Sequence, residues 1–218
     1  VNRAGAYGDN DAAVAIIHDY GHVRGRVLDA TFGAGVFWKK VRPGQLWVMD
    51  AIGLKLDHVR AAGAVRVQGD FTRPPFEPRS FDCVVFDPPY KLNGQPTVDP
   101  RGPDFRYGVH HYTRWQDRMA LIVDGVRALG PLVTPQGKLL VKCMDQVCSG
   151  AMRWQTDAVT KAAERQGFVK EDRLDLLNEP REQPEGRGEE HLEANYSTLL
   201  VFRRPGRRSK EERLRQAS

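Results

Sequence analysis

The residues with the most chemistry in their order are Asp87-Pro88-Pro89-Tyr90. They follow an apolar run, Phe81 to Phe86, that reads as a buried strand and leaves a carboxylate at its carboxyl end. Two successive prolines supply no backbone N–H and fix their own φ, so the corner is stiff and its carbonyls turn outward. An aromatic ring comes next. A carboxylate, a bare carbonyl and a ring suit a planar, amino-bearing base: two acceptors for its NH2 hydrogens and one face for stacking. A purely structural Pro-Pro turn is the plainer alternative.

Upstream lies Asp29-Ala30-Thr31-Phe32-Gly33-Ala34-Gly35, directly after a short strand over Arg26 to Ala30. Gly33 and Gly35 let the chain bend sharply and bring backbone close to a ligand. A bare Gly-x-Gly after a strand is common and carries little alone. Trp38 stands where a dinucleotide fingerprint needs its third glycine, which argues against a nicotinamide cofactor. Asp50 ends the strand Gln45 to Asp50, and Asp70 follows the strand Val65 to Gln68. Each acid alone reads as a helix cap or turn residue. Four acids at four strand ends form a set.

The elements that must position these residues alternate. Helices are expected over Asp9 to Tyr20, Phe37 to Val41, Ile52 to Ala62, Trp115 to Leu129 and Ala151 to Gln166. Gly137 to Met144 reads as a fifth strand, and Phe168 to Leu177 with Tyr196 to Arg203 as a closing pair. The alternation predicts an α/β chain whose largely parallel sheet is covered on both faces. Ligands in such sheets bind outside the carboxyl ends of the strands, where the four acids fall.

The glycine turn and the Asp-Pro-Pro-Tyr corner, in this order and spacing, resemble the S-adenosylmethionine-dependent amino-methyltransferases that modify exocyclic amines of DNA bases, the N6-adenine and N4-cytosine family. The resemblance spans residues 26 to 145 and continues more weakly to 203. It implies a Rossmann-like class I methyltransferase fold, a mostly parallel seven-stranded sheet with an antiparallel last strand. A single domain over 1–203 is expected, with substrate-facing loops at 91–113 and 178–195, then a basic tail at 204–218.

The resemblance also assigns roles. S-adenosylmethionine is the implied cofactor. Asp29 would accept from its α-amino group, the turn of Thr31, Phe32, Gly33 and Gly35 would lie against it, and Asp50 would grip the ribose hydroxyls. Asp70 would accept from the adenine amino group, with Phe71 or Phe32 packed nearby, and Asp87 would border both ligands. Family members usually carry Phe or Pro where Thr31 and Ala30 stand. On the substrate side, Asp87 and the Pro88 carbonyl would accept the amine hydrogens beside Pro89. Tyr90 would stack on a base taken out of the duplex. No metal and no cysteine nucleophile are implied. Asp rather than Ser at the first position resembles the N6-adenine enzymes, although RNA enzymes acting on guanine amines also carry it. The expectation is adenine N6 in DNA, with rRNA or tRNA methylation, or a catalytically silent nucleic-acid-binding subunit, as alternatives.

Composition agrees with a soluble globular chain: of 218 residues, 40% are hydrophobic and 28% charged. The net charge of +5 resides in residues 203–218, where seven basic residues face two acidic ones. That tail is either a phosphate-binding arm or a solvated end. Between 91 and 113, Lys91, Arg101 and Arg106 interleave with Phe105, Tyr107, His110, His111 and Tyr112, the mixture of a nucleic-acid clamp or of an ordinary insertion. Nucleic acid is the expected partner, DNA before RNA, with target choice made by these loops or by a second protein. Oligomeric state is left open. Cys83, Cys143 and Cys148 lack zinc spacing and read as reduced thiols. With no run of roughly 18 apolar residues and no leader pattern after Val1, the expected place is the cytoplasm and no membrane.

Overall fold

The computed structural model describes residues 6–7, 10–57, 63–92, 114–177 and 196–206. Its strands are β1 (Ala6–Tyr7), β2 (Arg26–Asp29), β3 (Gln45–Asp50), β4 (Val65–Gln68), β5 (Phe81–Phe86), β6 (Val133–Cys143), β7 (Gln146–Cys148), β8 (Ala151–Arg153), β9 (Val169–Leu177) and β10 (Tyr196–Arg203). Its α-helices are α1 (Asn10–Asp19), α2 (Gly53–Leu56), α3 (Trp115–Leu129) and α4 (Gln155–Glu164). The stretches 93–113, 178–195 and 207–218, which hold nearly all of the expected loops and tail, lie outside the described residues.

Eight strands form one sheet in the order β1-β9-β10-β6-β5-β2-β3-β4. Pairing is parallel from β6 through β5, β2 and β3 to β4. β10 runs antiparallel to both β6 and β9. This is the expected seven-stranded arrangement with a reversed last strand, extended at one edge by β1 pairing with β9. From β2 the chain winds outward through β3 and β4, then returns to the other side as β5. The order reverses between β2 and β5, and crevices at such reversals hold ligands.

The strands are apolar on both faces, as parallel strands between two helical layers must be. Val27, Val48, Cys83, Val85, Leu140, Leu199 and Val201 pack in one layer with Ala13, Val14 and Ile17 of α1. Their neighbours Leu28, Met49, Val84, Phe86, Leu139, Val141, Leu200 and Phe202 pack in the other with Ile122, Val126 and Leu129 of α3 and Val159 and Ala163 of α4. The alternation follows the two-residue period of a strand. No helix among the described residues is long and apolar enough to cross a membrane.

Three expectations need correction. Ala151 does not open a helix. Ala151–Arg153 pairs antiparallel with Gln146–Cys148, and the helix starts at Gln155. The connecting Ser149 and Gly150 both have positive φ, 54° and 71°, the turn that suits the twist of a tight hairpin. The fifth strand begins at Val133, four residues earlier than expected. The short helix expected over Phe37–Val41 is a single 3-10 turn, Val36–Trp38. Of the helix expected to Ala62, Gly53–Leu56 is formed, and residues 58–62 lie outside the described set.

Candidate active site

Strand order sets the acids in a row. β5, β2, β3 and β4 are neighbours, so Asp87, Asp29, Asp50 and Asp70 follow one another along the carboxyl edge of the sheet. Asp29 and Asp87 flank the point where the winding reverses.

The glycine turn is fastened to this edge by carboxylates. Asp50 Oδ2 accepts the Gly33 N–H at 2.9 Å, and its Oδ1 accepts that of Ile52 at 2.9 Å. The Phe32 N–H bonds the Met49 carbonyl at 2.9 Å. Gly33 and Gly35 have left-handed φ of 56° and 67°. A Cβ on Gly35 would come within 2.6 Å of the Phe32 ring, whereas one on Gly33 would meet only the Thr31 carbonyl, at 3.8 Å. Gly33 therefore offers bare backbone to open space, the cradle a close-lying ligand needs.

Asp29 is turned inward. Its Oδ1 accepts the Thr31 N–H at 3.0 Å and its Oδ2 the Trp38 indole N–H at 2.7 Å, and the residue is 1% exposed. In this structure it anchors the turn rather than presenting an oxygen to the cleft. Burial pushes its pKa up to about 7, against the two hydrogen bonds and with help from the Asp87 and Asp50 charges. Phe32 is likewise a core side chain, in the layer shared with α1. Phe71 is half-buried with its ring centre 5.0 Å from that of Phe86. Asp70 is exposed and caps its own turn through the Thr72 N–H at 2.8 Å.

The Asp-Pro-Pro-Tyr corner meets the glycine turn directly. The Asp87 N–H donates to the Thr31 hydroxyl oxygen at 2.8 Å, and the Ala30 N–H to the Val85 carbonyl at 2.9 Å. Asp87 Oδ2 receives the Asn10 amide at 3.4 Å. Asp87 Oδ1 is buried and accepts no hydrogen bond, with the Lys142 ammonium 4.0 Å away. Burial raises the Asp87 pKa and Lys142 opposes the rise. The Tyr90 carbonyl accepts from the side-chain amides of Gln146 and Gln155, and its half-buried ring has the Lys142 ammonium 5.0 Å from its centre. Pro88 is buried beneath the corner and Pro89 half-buried.

Sequence reasoning missed Asn10, Trp38, Lys142, Gln146 and Gln155 as members of this constellation. Gln146 clamps the segment after Tyr90, donating to the Tyr90 carbonyl and accepting the Leu92 N–H at 2.9 Å. Asp145 fixes the start of α4 by accepting from the Thr156 N–H and hydroxyl at 2.9 and 2.7 Å. Nothing local marks Asn10 as a partner of Lys142, 132 residues away. Among the described residues no group of three or more His, Cys, Asp or Glu side chains gathers as metal ligands.

Neither a protein-family model nor a curated protein matches the chain. Solved structures do. N-methyltransferase NodS from Bradyrhizobium japonicum WM9 superposes with a TM-score of 0.58 at 13% identity, over 89% of this chain and 94% of that one. Its complex with S-adenosyl-l-homocysteine gives 0.56 at 14% identity, over 89% and 85%. The [4+2]-cyclase SpnF gives 0.56 at 11% identity, over 94% and 88%. The chain thus has the Rossmann-like class I methyltransferase fold. At these identities the likeness defines architecture, and a cyclase among the neighbours shows that the architecture alone does not specify the reaction.

Proposed function

We propose that this chain transfers a methyl group from S-adenosylmethionine to the exocyclic amine of a nucleobase, adenine N6 in DNA. The observation that carries the reading is the bare Asp87 Oδ1, an acceptor without a donor at the end of β5, beside a double-proline corner and a tyrosine ring. A buried acceptor left unsatisfied costs about 1–3 kcal/mol, so such an atom is retained for a donor that arrives. An amine hydrogen is that donor.

The residues present fit the cofactor. Gly33 supplies open backbone, Asp50 stiffens the turn from the next strand, and exposed Asp70 lies one strand beyond. Gly33, Asp50 and Asp70 would hold the cofactor, with Gly35, Asp29 and Thr31 supporting the turn from below. Bound S-adenosylmethionine would supply a methyl group on a cationic sulfur that keeps the C–S bonding pair, so the amine lone pair forms the new N–C bond and the product nitrogen sheds one proton. Asp87 and the Pro88 carbonyl hold the two N–H bonds and draw the lone pair out of conjugation with the ring. Burial makes the Asp87 carboxylate more basic, which suits it to take the proton and pass it to water. Tyr90, fixed through its carbonyl by two glutamines, offers a face to an extruded base.

Incubation with methyl-labelled cofactor and either duplex DNA or total RNA tests the proposal, with calorimetric titration of the cofactor alongside. Cofactor binding with label in DNA is expected. Label in RNA alone moves the substrate, and nucleic-acid binding without cofactor binding identifies a silent subunit.

A further inference from the structure

Lys142 is an ammonium inside the fold. It is the penultimate residue of β6 and 5% exposed. A buried cation is tolerated only where partners replace its water, and an apolar side chain of that length would pack there at less cost. Its surroundings are specific. The ammonium donates to Asn10 Oδ1, lies 4.0 Å from Asp87 Oδ1 and sits 5.0 Å from the Tyr90 ring centre. Asn10 uses its other end on the same carboxylate, Nδ2 donating to Asp87 Oδ2 at 3.4 Å. Ammonium, amide and carboxylate therefore close a ring. Three separate elements contribute: the first residue of α1, the end of β6 and the corner after β5. The short β1 strand, paired parallel with the end of β9, brings the chain to this edge just before Asn10.

We infer that Lys142 and Asn10 are positioning residues for the amine acceptor: together they keep Asp87 anionic and fix its carboxylate plane, with Oδ1 turned to the incoming donor. The inference rests on the reading of Asp87 given above and extends it to two residues outside the motif. The same ammonium steadies the Tyr90 ring by cation–π attraction, so one charge couples the acceptor to the stacking face.

Among the described residues, the charged groups facing Asp87 are Lys142 from β6 and Asp29 from β2, while Asn10 and Thr31 face it as neutral partners. Burial favours the protonated acid, and among the described residues Lys142 opposes it. Loss of the ammonium must therefore raise the Asp87 titration midpoint, so that a higher pH is needed to ionise the acceptor.

The test is the 13C titration of the Asp87 carboxyl, assigned by its absence in Asp87→Asn, in wild type, Lys142→Met, Lys142→Arg and Asn10→Ala. Lys142→Met should raise the midpoint by about one pH unit or more, as expected for an opposite charge within 4–6 Å. The acidic limb of kcat/KM should move with it, Lys142→Arg should restore most of both, and Asn10→Ala should show a smaller rise with cofactor affinity retained. A folded Lys142→Met with an unmoved midpoint overturns the inference. Should that variant not fold, an unmoved midpoint in Asn10→Ala does the same. The titration is read without substrate, so its failure counts against this inference alone. A moved midpoint in a wild-type protein that methylates no base counts against the functional reading instead.

Discussion

The Thr31 hydroxyl oxygen accepts the backbone N–H of Asp87 at 2.8 Å, joining the glycine turn to the Asp-Pro-Pro-Tyr corner across 56 residues of sequence. Thr31→Val keeps the shape and removes the acceptor. It should lower stability by about 1–3 kcal/mol, the cost of an unpaired buried N–H, with Thr31→Ser recovering most of it. Urea unfolding measures both.

The two glycines should separate fold from ligand. Gly35→Ala combines a left-handed φ with a methyl driven into Phe32, so stability falls by more than the roughly 1–2 kcal/mol of the backbone strain itself. Gly33→Ala bears the backbone strain alone but puts a methyl where the ligand would lie. Its cofactor affinity should drop about tenfold or more by calorimetry.

Asp29 predicts a pH dependence. Its folded pKa is raised from 3.8 to about 7, so between these values the folded chain holds a proton that the unfolded chain has lost. Stability from this group is therefore fully present below pH 3.8 and declines as pH rises to about 7. A 13C titration should place the midpoint near 7, and Trp38→Phe, which removes a donor to the charged form, should raise it. A midpoint near 4 would be ordinary for an aspartate and contrary to this account.

Tyr90→Ala should reduce kcat/KM for nucleic acid by roughly tenfold to a hundredfold, the worth of one base stack at about 1–3 kcal/mol. Cofactor affinity should change little. Equal losses in both would mean that the ring lines the cofactor pocket.

Much of this was legible locally. Apolar runs ending in Asp marked β3 and β5, and the alternation of strands with helices foretold the parallel sheet. The β7–β8 hairpin was not, because Ala151-Met152-Arg153 continues the helical composition that follows; the Ser149-Gly150 pair was the overlooked turn signal. The fifth strand was expected from Gly137, yet β6 begins at Val133 and passes through Pro135 and through Gln136 at a positive φ of 66°. Within the site, motif residues were readable and their partners were not. Asp29 looked like a ligand group until Trp38 was found bonded to it. A lysine near the end of an apolar strand and an asparagine at a helix start carry no local mark of each other. Their meeting is a product of the sheet order.

Nucleoside mass spectrometry of DNA treated with the chain and isotopically labelled S-adenosylmethionine tests the central claim most directly. The account predicts labelled N6-methyldeoxyadenosine with wild type and none with Asp87→Ala, although that variant still binds the cofactor. Label on any other atom, or equal label with Asp87→Ala, would contradict it.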